Sequence, residues 1–228
     1  MKLLTQIYNR IGAMYLSPLL KVEQNKRPFP EINERAIEYG FALTYIQALC
    51  TGSILDVGSG RSSWPHLLSV CGYDVKAVDK SSRFNRHYNI DHADITHTWI
   101  SGYYQFITCI STLEHISDHR KAMLNMWMLL EYGGYLILTF PYNERFYHRN
   151  IYEHLCAGYG QTADFITQVF SREEINNWLF DTTFEIVAQE YYQVFTGGMW
   201  TMGKRIVPGK MTTTDKPHHL TCILLQKK

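Results

Sequence analysis

The stretch Ser53 to Trp64, SILDVGSGRSSW, runs a short apolar segment straight into two closely spaced glycines. Few folds accommodate that arrangement. A buried strand that ends in a glycine turn and then opens a helix brings backbone N–H groups and a helix N-terminus to one end of a sheet, where a ligand can approach the main chain. Pro65 falls in the first turn of the following helix, where its missing N–H costs nothing, Ser62 or Ser63 is placed to cap that helix, and Gly72 marks its stop. A dinucleotide fingerprint, G-x-G-x-x-G, requires a third glycine where this chain has Ser63, and Asp56 stands two residues before the first glycine. A carboxylate there repels a pyrophosphate and attracts an ammonium group, so the loop favours a nucleoside that carries an amino acid.

Strand-like and helix-like segments alternate from about residue 31 onward. Ile37, Phe41, Tyr45 and Leu49 fall four apart and mark one helix face. SILDVG, DVKAVD, FITCIS and YLILTFP read as strands, with PHLLSVCG and HRKAMLNMWMLLEYGG as helices, the latter ending at Gly133-Gly134. Strands separated by helices of this length imply a parallel sheet covered on both faces, a three-layer α/β sandwich. Residues 141–170 are aromatic-rich without a steady period. SREEINNWL then opens with the capping box Ser171 and Glu174. FEIVAQEYYQVF and HLTCILLQ follow as two strands joined by a loop with Gly197, Gly198, Pro208 and Pro217, so they pair antiparallel.

Composition narrows the partners. With 22 Lys and Arg against 21 Asp and Glu, no global field draws the protein to nucleic acid or to an acidic membrane. The five cysteines are widely separated and form no C-x-x-C pair, which fits a reducing compartment, and the cytoplasm is the expected location. Near the N-terminus Gln6, Asn9 and Arg10 interrupt any apolar core, no run approaches ~18 residues, and neither a signal peptide nor a membrane span is expected. Leu4, Tyr8, Ile11 and Tyr15 instead recur at helical spacing, and residues 1–30 read as a helical extension or lid on a domain over 31–228, with 141–170 as a substrate cap.

Six segments in order, ILDVGSG, VKAVD, DHADIT, FITCISTLEHI, LLEYGGYLILTFP and the terminal strand pair, resemble the class I S-adenosylmethionine-dependent methyltransferases, in particular those of the ubiquinone-biosynthesis O-methyltransferase type. The resemblance spans roughly residues 31–228. It implies a Rossmann-like sandwich whose seven-stranded, mostly parallel sheet ends in an antiparallel C-terminal strand, and S-adenosylmethionine as cofactor. It further implies that Asp56, Gly58, Ser59 and Gly60 line the methionine part and that Asp79 accepts the ribose hydroxyls. On the same resemblance Asp94 would accept the adenine amino group, or Asp91 in a shifted register, with the Ile95 N–H on the ring, and Ile110 and Ser111 would pack near the adenosyl group. The resemblance also implies that Arg35 meets the cofactor carboxylate, a role that Arg61 in the loop could take in its place. The loop departs from the family pattern at its third glycine, which is Ser62 here.

A sulfonium leaving group needs little help, so acid–base catalysis matters only for an acceptor that carries a proton. His115 in STLEHISDH supplies a neutral imidazole for that purpose, with Glu114 as an orienting neighbour. His115 and His119 are spaced like zinc ligands, but no third ligand is in register and Asp118 suits a helix cap, so no metal is expected. Tyr142, Tyr147, His148 and Tyr152 are the cap residues expected over a partly apolar, hydroxylated acceptor. The NPPY signature of nucleobase amino methylases is absent. The expected activity is methyl transfer to a small molecule or glycan precursor, at oxygen, by a monomer or homodimer. The rivals are a nicotinamide oxidoreductase and a non-catalytic methyltransferase-like subunit.

Overall fold

The computed structural model describes residues 34–60, 62–81, 90–97 and 100–228, together with Ile11 and Met14. The chain divides into two units, Met1–Asn33 and Glu34–Lys228. Ile11 and Met14 of the first are helical; the rest of the expected N-terminal extension, and Arg61, lie outside the described residues.

In chain order the second unit comprises α1 (Arg35–Leu49), β1 (Ile54–Val57), α2 (Trp64–Val70), β2 (Val75–Asp79), β3 (Ile90–His92), β4 (Tyr104–Ile110), a 3-10 turn at Leu113–His115, α3 (His119–Leu129) and β5 (Leu130–Pro141). A second 3-10 turn at Ile151–Glu153 is followed by α4 (Arg172–Asp181), β6 (Phe184–Phe195), β7 (Arg205–Thr212) and β8 (Leu220–Lys227). Among the described residues one sheet holds all the strands, in the order β3-β2-β1-β4-β5-β8-β6-β7. β3-β2-β1-β4-β5 pair parallel; β8 pairs antiparallel with both β5 and β6, and β7 antiparallel with β6.

Period-2 alternation divides the apolar side chains between two cores. Leu55, Val57, Leu136, Leu138, Ile223 and Leu225 face α3 and α4, whose Met123, Met126, Ile175 and Trp178 complete that layer. Ile54, Phe106, Ile137, Cys222 and Leu224 face the other way, toward Phe41 and Ile46 of α1 and Trp64 and Leu68 of α2. Two local signals are met in full. Asp118 caps α3 through the Lys121 N–H, and Ser171 and Glu174 close the capping box of α4.

Three expectations are corrected. Among the described residues the sheet has eight strands rather than seven, because the segment read as a loop contains β7; its Pro208 lacks an N–H, which an edge strand tolerates. α3 stops at Leu129, and Gly133, with φ +74°, lies inside β5 where the pairing with β4 shifts register. The buried residues of α1 are Glu38, Phe41, Ala42 and Ile46, so the buried stripe is turned from the expected Ile37-Phe41-Tyr45-Leu49 face toward Glu38.

Candidate active site

The sheet reverses direction of growth at β1: the chain adds β2 and β3 on one side of it, then returns to place β4 and β5 on the other. In such sheets the crevice beyond the carboxyl ends of the two strands flanking the reversal receives ligands. The loop after β1, the ends of β2 and β4 and the turn at 112–115 all lie there.

Gly58 and Gly60 both adopt left-handed backbone, with φ of +78° and +52°. They serve different ends. A Cβ on Gly58 would run into Thr112, whose Oγ1 donates to the Gly58 carbonyl, whereas one on Gly60 would meet only Asp79 Oδ2 at 3.8 Å and the Gly58 carbonyl at 3.9 Å. The main chain is therefore open at Gly60, opposite the β2 carboxylate. Asp79 accepts from the Gly60 N–H at 2.8 Å and the Ser81 N–H at 2.7 Å, which leaves each carboxylate oxygen a second acceptor site. Ser62 Oγ accepts from the Trp64 N–H and contacts the Tyr39 hydroxyl, while Ser63 makes no side-chain cap; Ser62 is the capping serine.

Asp56 departs from the expectation of a carboxylate facing a ligand ammonium. It is buried, and its two oxygens accept from Ser59 Oγ at 2.6 Å and Thr108 Oγ1 at 2.7 Å. Burial pushes its carboxyl up to about 6, against the pull of those hydroxyls and of Arg35. It braces the loop from below. Thr108, a hydroxyl in the middle of an apolar strand, was the sequence signal for this contact.

Asp94 follows β3 and accepts from the Thr96 N–H and hydroxyl, with Lys80 Nζ 3.0 Å away. Burial opposes its ionisation, but those donors and Lys80 outweigh it and hold the carboxyl at about 2. Asp91 is more exposed and pairs with Lys76 instead. Ile95 and Ile110 are both buried, and the Ile95 carbonyl accepts from Asn125. Ser111 has φ +43°; its N–H donates to Thr139 and its hydroxyl to Glu38. Arg35, at the start of α1, pairs with Glu38 at 2.7 Å.

His115 ends the first 3-10 turn with its side chain 36% exposed. Its Nδ1 lies 2.7 Å from the Ile166 carbonyl, which can only accept, so Nδ1 carries the proton and Nε2 the lone pair. Burial holds the imidazole below its ordinary pKa; the Ile166 bond opposes this and the charge of Arg35 adds to it. Glu114 is buried, with Oε1 3.8 Å from His115 Nε2 and Oε2 without a hydrogen-bond partner. Burial pushes its carboxyl up to about 8; its own backbone N–H pulls it down and Glu38 pushes it up. Its folded pKa thus lies above the ordinary 4.5, so the folded chain binds the proton more tightly than the unfolded one. Stability should fall as pH rises from about 4.5 through about 8. Glu114→Gln should flatten that slope and gain on the order of 1–3 kcal/mol relative to the parent above pH ~8, read by denaturant titration at a series of pH values. An unchanged slope would place the proton elsewhere.

The expected cap residues divide. Tyr142 is a correction: it is 1% exposed, sits in the α3/α4 core, and donates its hydroxyl to Glu144. Tyr147 stacks on Phe170 and donates to Gln168, and His148 pairs through its backbone with Val169. Tyr152 alone belongs to the ring chain that leads to His115: Tyr159, Tyr152, Phe165 and His115 stand in succession with centroids 6.2, 6.1 and 4.9 Å apart. Phe165, and the Arg205 that bridges Glu34 and Tyr159, were not singled out from the sequence, because no local pattern places them there. His119 accepts from Trp178 Nε1 inside an aromatic cluster. Among the described residues no helix is long and apolar enough to cross a membrane.

The profile of a family described as "Methyltransferase domain" matches residues 23–189. No curated protein matches. Among solved structures, 1,6-didemethyltoxoflavin-N1-methyltransferase from Burkholderia thailandensis, with bound 1,6-didemethyltoxoflavin and S-adenosylhomocysteine, superposes with a TM-score of 0.60 at 13% identity, covering 96% of this chain and 90% of that one. TehB from Haemophilus influenzae gives 0.57 at 18% identity over 90% of this chain, which spans 65% of TehB. The N-methyltransferase NodS from Bradyrhizobium japonicum, in complex with S-adenosylhomocysteine, gives 0.52 at 13% identity, covering 85% and 87%. At these identities the likeness is one of fold.

Proposed function

Since the chain belongs to the class I S-adenosylmethionine-dependent methyltransferase family, we propose that it moves a methyl group to a hydroxyl oxygen of a small molecule or glycan precursor. The observation that carries the choice of oxygen is the fixed tautomer of His115. A neutral amine attacks with a free lone pair and needs no base, whereas a hydroxyl must lose its proton as the bond forms. Nε2, on an imidazole that meets the partly exposed ring of Phe165 edge-on, is the lone pair available to take it.

The residues fit the cofactor. The open backbone at Gly60 admits a ligand, and Asp79 and Asp94 are acceptor-only groups, as a ribose diol and an exocyclic amine require. Arg35 suits the methionine carboxylate. Bound S-adenosylmethionine supplies an electrophilic methyl group on a cationic sulfur. The chain supplies alignment, a base and a brace: Asp56 and Thr112 hold the glycine loop, Ser111 shapes the end of β4, and Glu114, neutral below about pH 8, leaves His115 free of a competing charge. Tyr147, His148 and Tyr152 with the segment around them form the acceptor cap, and residues 1–30 an N-terminal extension to the domain. All five cysteines are free, in keeping with the cytoplasm.

Asp79→Ala should weaken S-adenosylhomocysteine binding by about 1–3 kcal/mol, measured by calorimetry, through lost ribose bonds. Asp79→Asn keeps an acceptor for the Gly60 N–H and so separates ribose recognition from loop bracing. Unchanged affinity in Asp79→Ala would put the ribose elsewhere. The function itself is tested by incubating the protein with S-adenosylmethionine and a panel of hydroxylated and aminated small molecules and identifying the product by mass spectrometry and NMR. An O-methyl product is expected; N-methyl products alone would overturn the assignment to oxygen.

A further inference from the structure

We propose that Glu38 is a positioning residue for the cofactor, aiming Arg35 at the amino-acid end of the crevice and tying α1 to the ends of β4 and β5. The proposal rests on the reading that the crevice takes S-adenosylmethionine with its carboxylate at Arg35. Glu38 is 0% exposed, although it lies in the first turn of a helix where a glutamate ordinarily faces water. Oε1 accepts from Ser111 Oγ at the end of β4 and from Thr139 Oγ1 of β5 at 2.7 Å. Oε2 accepts from Arg35 Nη1 at 2.7 Å.

One carboxylate therefore joins three elements at the crevice. A buried carboxylate is tolerated only when its oxygens find donors, and Glu38 has three: two hydroxyls on Oε1 and the Arg35 guanidinium on Oε2. The consequence for Arg35 is directional. An arginine at a helix start has many rotamers, and the bond to Glu38 holds its guanidinium beside a carboxylate that is itself bonded to Ser111 at the end of β4 and to Thr139 of β5. Ser111, in left-handed backbone, is held by the same carboxylate through its hydroxyl and by Thr139 through its N–H. Removing the charge of Glu38 should misdirect Arg35 while leaving the nucleoside end of the crevice, at Asp79 and Asp94, as it is.

Two ligands separate these ends. S-adenosylhomocysteine carries the amino-acid group; 5′-methylthioadenosine lacks it. In Glu38→Gln, which keeps an acceptor for Ser111 and Thr139, calorimetry should show S-adenosylhomocysteine weakened roughly 10- to 100-fold, as for loss of one charge-assisted bond, with methylthioadenosine within about twofold of the parent. Parallel weakening of both ligands would mean that Glu38 is merely structural and would overturn the proposal. Should Glu38→Gln fail to fold, Arg35→Gln and Arg35→Gln/Glu38→Gln, which removes both charges, take its place. The double variant should bind S-adenosylhomocysteine no more weakly than Arg35→Gln alone, and additive losses would overturn the coupling. Methylthioadenosine binding the parent as tightly as S-adenosylhomocysteine would instead overturn the underlying reading of the crevice.

Discussion

His115→Ala is expected to lower turnover by about 10²- to 10⁴-fold once an acceptor is in hand, the range over which a positioned base contributes. Binding of S-adenosylhomocysteine should change little, because in the proposed role the imidazole meets the acceptor and not the cofactor. His115→Asn sharpens the result: its amide can still donate to the Ile166 carbonyl, as Nδ1 does, but offers no base. It should be as inactive as the alanine variant. The pH profile carries the sign. Burial holds the imidazole below its ordinary pKa, so the base form persists at neutral pH and activity falls only as pH drops through that lowered value. On the alkaline side, ionisation of Glu114 near pH 8 places a negative charge 3.8 Å from Nε2 and raises the imidazole pKa. Full turnover in His115→Ala would end its role as base; a loss of cofactor binding equal to the loss of turnover would make it a structural residue.

Gly58→Ala is expected to cost about 2–5 kcal/mol of folding stability: ~1–2 for a side chain in left-handed backbone and ~1–3 for overpacking. The new Cβ would lie 2.7 Å from Thr112 Cβ and closer still to its Cγ2 and Oγ1. Such a loss is a large part of ordinary domain stability. Gly60→Ala, also in left-handed backbone but facing open space, should pay only the conformational part, so the two variants measured side by side by denaturant unfolding isolate the Thr112 contact. Equal losses would mean that Thr112 simply moves aside. Gly60→Ala should nevertheless impair cofactor binding more than its stability suggests, since its Cβ would enter the space opposite Asp79.

The local part of the fold around this crevice was legible in the sequence. Gly58 and Gly60 after an apolar strand, Asp79 at the end of the next and the Ser171–Glu174 capping box each depend on residues a few positions apart, and the chain states them directly. What could not be read is what the topology brings together. Glu38 reads as a surface acid until Ser111 and Thr139 arrive from the far side of the sheet. Asp56 looks ligand-facing until Thr108 takes its second oxygen, and Tyr142 looks like a cap residue until Phe170 and Tyr191 enclose it. β7 escaped because RIVPGKMT carries a proline and a glycine and little apolar alternation, the composition of an edge strand and of a loop alike.

The placement of β8 also dictates an order of assembly. β8 is the latest of the strands in the chain, yet it lies in the interior of the sheet, between β5 and β6. During synthesis the parallel half emerges with the edge of β5 bare, and the β6–β7 hairpin has no sheet to join until residues 220–227 arrive. The last insertion closes contacts between residues about ninety positions apart, such as Tyr135 with Gln226, which is slow by the entropy of loop closure. Partly made chains therefore expose a strand edge to their neighbours until residues 220–227 dock.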